Sequence, residues 1–178
     1  MDFHMLIEQA KAKGFSAAVL PTADIVFDPA FRPYCAENLC GQYGANYSCP
    51  PDCGTPEEME QRIRAKQHAL VLQTVWPIAD YSDAAAIRHA KKSHNAASIR
   101  LMLDFRAAGI DCFLSGASGC NLCESCTILQ KEPCRYPDLR FSCLSAYCIY
   151  VKDLADKCGL MYLCPKGQVS FFGMILFD

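Results

Sequence analysis

Cysteine is the residue through which this chain can do chemistry: thirteen of its 178 residues are cysteine, an odd number. They fall in two groups, with none between Cys53 and Cys112. The sharper group reads Cys120-x2-Cys123-x2-Cys126, followed by Pro133-Cys134. A C-x2-C-x2-C run curls the backbone so that three thiolates converge on three corners of a cubane. A more distant cysteine beside a proline supplies the fourth, as in bacterial ferredoxin runs. Zinc sites instead tend to pair two C-x2-C knuckles, and three closely spaced cysteines crowd a tetrahedral ion. Cys120, Cys123, Cys126 and Cys134 therefore read as ligands of a [4Fe–4S] cluster, with zinc as the alternative.

The earlier group is Cys35-x4-Cys40-x8-Cys49-x3-Cys53. Gly41 and Gly44 permit close backbone approach, and Pro50-Pro51 stiffens the chain behind Cys49. A helix starting at Pro56 would aim its positive end toward an anionic group here. These features predict a second cluster held by Cys35, Cys40 and Cys49, with Cys53 as the fourth ligand. If Cys53 points elsewhere, one iron is open to water or substrate. Cys49-x3-Cys53 also begins like the radical S-adenosylmethionine signature, but Pro56 stands where the third cysteine is required, which excludes that class.

The remaining cysteines and histidines carry weaker signals. Cys112 and Cys158 read as small buried side chains, while Cys143, Cys148 and Cys164 are secondary candidates as ligands. His4, His68, His89 and His94 show no metal-type pairing and read as surface or satisfied polar residues. Arg88, Lys91, Lys92 and His94 read as a solvated helix face, or as a docking face for an acidic electron-transfer partner. No Ser-His-Asp arrangement, phosphate loop or pair of catalytic carboxylates can be singled out.

The elements that must position these residues follow from hydrophobic patterning. The chain is 52% hydrophobic and 20% charged, enough apolar material for one compact domain over residues 1–178, with cysteine-rich segments 35–53 and 120–134 set into it. Helices are predicted over Phe3–Lys13, from Pro56 to about His68, over Asp83–Ala108 and over Val151–Lys157. The second has Thr55 as N-cap and Glu58 at N3; the third has Ser82 as cap and an apolar stripe of Ile87, Ile99, Met102, Leu103 and Phe105. Strands are predicted near Ser16–Leu20, Ala69–Trp76, Ile110–Leu114 and Val169–Phe177. The alternation predicts an α/β fold, a mixed sheet with packed helices, with both cysteine segments in loops leaving strands. A formal net charge of -2 gives no basic footprint for nucleic acid. No run is long and apolar enough for a membrane span, and the charged start does not read as a secretory signal, so a cytoplasmic location is expected.

Both cysteine segments also resemble a bacterial and archaeal family described only as predicted metal-binding proteins. Its pattern C-x4-CG-x-YG-x4-CPP is matched by Cys35, Cys40, Gly41, Tyr43, Gly44, Cys49, Pro50 and Pro51. Its GC-x-LC-x2-C run and PCR-x-P are matched within Gly116 through Cys126, from Gly119 on, and by Pro133, Cys134, Arg135 and Pro137. The chain departs where the family reads Ser-Met-Glu-Ala-Tyr-Gly, having Ser142-Cys143-Leu144-Ser145-Ala146-Tyr147-Cys148, and the family pattern has no cysteine matching Cys53. The resemblance implies metal binding without naming a reaction.

Together these readings predict an iron–sulfur protein with two [4Fe–4S] clusters, passing electrons to a protein partner or small cofactor. The alternatives are a metal-stapled structural or metal-handling protein, and an enzyme using an open iron as Lewis acid.

Overall fold

The computed structural model describes residues 2–178. Five strands form one mixed sheet: β1 (Ser16–Pro21), β2 (His68–Pro77), β3 (Cys112–Gly116), β4 (Ser142–Cys143) and β5 (Gln168–Phe177). Their order across the sheet is β1-β2-β5-β3-β4. All neighbours are antiparallel except β3 and β4, which run parallel with Ser115 opposite Ser142 and Gly116 opposite Cys143. Four helices pack on this sheet, α1 (Phe3–Ala12), α3 (Pro56–Arg64), α4 (Ala84–Ala107) and α5 (Val151–Lys157), while the short α2 (Arg32–Ala36) buries no side chain.

The apolar runs of β2 and β5 are explained by burial on both faces. Side chains alternate along a strand, so Ala69 and Val71 join Met174 and Leu176 against Met59 and Ile63 of α3 and Leu154 of α5. Leu70 and Leu72 join Ile175 and Phe177 against Leu6 of α1 and Leu101, Met102 and Phe105 of α4. The result is a helix–sheet–helix sandwich, an α/β fold as expected. Each large apolar side chain so buried contributes about 1.5–3 kcal/mol.

Local signals in the sequence set most element ends. Thr55 and Glu58 form both bonds of a capping box. Gly14, Gly109 and Gly159 follow α1, α4 and α5 in left-handed conformations, which glycine adopts without penalty. The structure also corrects some expectations. Asp83 caps α4, accepting from Ala85 and Ala86 N–H, while the Ser82 hydroxyl turns back to Asp80. The buried stripe of α4 includes the polar residues His94, Asn95 and Ser98, while Leu103 is exposed. The first cysteine segment does not leave a strand directly, because two short 3-10 turns lie between it and β1 and its first cysteine sits on α2.

His94 is thus a core residue and no part of a solvated face. Its Nδ1 shares a 2.8 Å hydrogen bond with the Thr74 hydroxyl, which also accepts from Trp76 Nε1. Burial holds its pKa down at about 4, so the ring is neutral near pH 7. Beside it, Asn95 clamps the chain leaving β3: its Oδ1 accepts from Ala117 N and its Nδ2 donates to Ala117 O, both at 2.9 Å. The start of the second cysteine loop is therefore fixed by α4.

Candidate functional site

The loop after β3 gathers the second cysteine group by two local devices. Cys126 leads into a 3-10 turn over Thr127–Gln130, and Lys131 adopts a left-handed conformation that reverses the chain. Glu132 N–H then bonds Thr127 O, and the Thr127 hydroxyl donates to Pro133 O at 2.9 Å. This closed excursion returns Cys134 to its partners and explains the long last gap of the motif. Cys120, Cys123, Cys126 and Cys134 all line one small cavity of about 20 Å³, with Arg140 and Tyr47 also in its wall.

The first group folds differently. Cys35 sits on α2, and the following chain coils through left-handed Asn38, Gly41 and Gly44. The Asn38 side chain accepts from Tyr43 N–H, and Gly44 N–H reaches back to Pro50 O. Cys35, Cys40 and Cys49 line a second, larger cavity of about 460 Å³ at the carboxyl ends of β3 and β4. Cys143, the last residue of β4, stands in the same wall, and Lys91 of α4 brings one positive charge to it. Cys53 is not in that wall. It is buried in the apolar layer with Met59, Ile63 and Tyr147, its thiol 3.8 Å from Gly54 O and 3.9 Å from the Arg32 guanidinium. The start of α3 is likewise outside the wall of this cavity.

The two cavities adjoin. Asn46, from the first segment, donates to Gln42 Oε1 in the wall of the first cavity and to Cys120 O in the second, at 3.2 and 2.8 Å. Its own Oδ1 accepts from Ser48 N–H. Gly119, one residue before Cys120, lies against Cys49: a Cβ there would come within 3.0 Å of the Cys49 sulfur. Tyr47 reaches across to donate to Glu132 O. The first segment is therefore the lid of the second site.

All thirteen cysteines are free thiols. Burial pushes the Cys49 thiol far above its ordinary range, with the neighbouring Cys143 adding to the effect. Burial likewise lifts Cys143 to about 11 and raises Cys35 and Cys120. Thiols held this way stay protonated unless a cation compensates their charge, which is what a metal does. The buried Ser48 hydroxyl has no hydrogen-bond partner in the protein. It sits by Cys120, where it favours the ionised sulfur, so a metal-bound thiolate would satisfy it. Among the described residues, no three His, Cys, Asp or Glu side chains close on a single point as one metal ion requires.

An α/β sheet carrying two adjoining pockets walled by soft sulfur donors defines a protein suited to thiophilic metals. The chain belongs to the predicted metal-binding protein family DUF2284, whose model matches residues 18–177. It is the family to which the cysteine motifs point. No curated protein and no solved structure matches the chain. No helix among the described residues is long and apolar enough to cross a membrane.

Proposed function

We propose that this chain is an iron–sulfur protein that holds one [4Fe–4S] cluster in each cavity and carries electrons to a protein partner or small cofactor. The observation that carries the reading is the pair of adjoining cavities, each with cysteines of one sequence motif in its wall. A single zinc ion, with Zn–S bonds of about 2.3 Å, draws its sulfurs to one centre. Three cysteines at two-residue spacing crowd such a tetrahedral ion but suit the corners of a cubane, so the motif favours the cluster. When bound, each cluster would accept and return one electron.

The protein's own residues suit that task. Lys91 and Arg140 bring one cation to each wall and offset the negative charge of thiolate-bound iron. The Asn46 bridge and the Gly119–Cys49 contact hold the two sites side by side, as a relay needs. The second site is small, with Tyr47 in its wall, while the first is wide enough to meet a partner or cofactor. That openness also favours a second reading, in which an iron of the first site acts on a small molecule as Lewis acid.

Stepwise anaerobic reduction of the purified chain, followed by electron paramagnetic resonance, tests the proposal. It predicts uptake of about two electrons per chain, magnetic interaction between the two reduced centres, and rapid re-oxidation by an added acceptor. A chain that accepts no electrons at accessible potentials contradicts it.

A further inference from the structure

We propose that Cys143 is the fourth ligand of the first centre, so that this centre is closed by Cys35, Cys40, Cys49 and Cys143 and leaves Cys53 free. The assignment rests on the two-cluster reading and deepens it. It begins with position. The parallel pairing of β3 with β4 sets Cys143 opposite Gly116, and the chain leaving Gly116 forms the cavity wall at Ser118 and Gly119. The strand end therefore delivers the Cys143 thiol to the cavity already lined by the other three cysteines. Four cysteines from two separated stretches of chain line one cavity.

The surroundings of the sulfur agree. Ala146 N–H donates to Cys143 Sγ at 3.4 Å. A backbone amide aimed at sulfur stabilises a metal-bound thiolate and is one of the levers that set a cluster's potential. Binding would exchange each S–H bond for an S–Fe bond and release the proton to water.

Cys53 has a different environment. Its amide closes a turn onto Cys49 O, and its side chain is packed in the apolar layer beneath α3. Arg32 fixes that corner, donating to Gly54 O at 2.9 Å and Ala146 O at 2.8 Å. Arg32 therefore ties the turn that carries Cys53 to the loop that follows Cys143. Cys148, in a left-handed conformation at the end of the same loop, is also outside the cavity wall. The consequence is functional: four thiolates leave no iron coordination position open, which favours electron transfer over Lewis-acid chemistry.

The test compares Cys143→Ala, Cys143→Ser and Cys53→Ala in the full chain, purified anaerobically and read by iron content, sulfide content and paramagnetic resonance. The assignment predicts that Cys53→Ala keeps both clusters. Cys143→Ala loses about half the iron, or shows a three-iron signal at the first site alone, and Cys143→Ser, nearly equal in volume, shifts that site's spectrum. Retention of the second cluster in these variants certifies the fold. Two intact clusters in both Cys143 variants, or loss of one in Cys53→Ala only, overturns the assignment and leaves the two-cluster reading standing. A wild-type chain without iron overturns that reading and the assignment with it.

Discussion

The two cavities differ in how far the chain must travel to build them. The second takes all four cysteines from residues 120–134, a single loop folded by one 3-10 turn and one left-handed lysine. The first is assembled from α2, the coil after it and the end of β4. One is tight and lidded, at about 20 Å³, and the other wide, at about 460 Å³. A local site can close upon itself. A site shared among distant segments depends on the sheet to align them and is left with room at its mouth.

The largest expected effect separates the two regions outright. Replacing Cys126 with alanine should remove the second centre, about half the iron, and leave the first spectrum recognisable; Cys40→Ala should do the reverse. Simultaneous loss of both centres in either variant would mean that the two sites assemble as one unit.

Acid should act through α4, beneath the second loop. The folded-state pKa of His94, about 4, lies below its ordinary value near 6.5. The unfolded chain therefore takes up the proton first. Stability is full above about pH 6.5 and falls as pH drops toward 4, by up to about 3 kcal/mol. Denaturant titrations across this range should show a flatter pH dependence in His94→Gln than in the wild type.

Two smaller changes probe the seam. Asn46→Ala removes the bonds to Gln42, Cys120 and Ser48 and should cost about 2 kcal/mol, read as a lowered melting temperature. Gly119→Ala should cost about 1 kcal/mol, because its Cβ crowds the Cys49 sulfur. Although Gly119 belongs to the second loop, its substitution should perturb the first centre's spectrum more than the second's.

The same contrast explains what could be read in the sequence. The Cys120–Cys134 motif is local, so its spacing anticipates that these four residues share a cavity. The doubly buried strands β2 and β5 are legible as apolar runs, and the capping residues mark the start of α3. Cys143 carries no local signal, since β4 is two residues long and exists only through its pairing with β3. Cys53 is well spaced as a ligand, but the turn onto Cys49 and the packing beneath α3 set its side chain outside the first cavity wall. The charged look of the α4 sequence around Lys91 and Lys92 masks a buried polar seam. His94, Asn95 and Ser98 are buried there because Thr74, Ala117 and the helix's own carbonyl at His94 offer them partners.

The central claim, two iron–sulfur centres in two adjoining thiol-walled cavities, is tested most directly by the metal and acid-labile sulfide content of the chain purified without oxygen. The account predicts a brown protein with about eight iron and about eight sulfide per chain. A colourless protein carrying one or two zinc ions and no sulfide would contradict it.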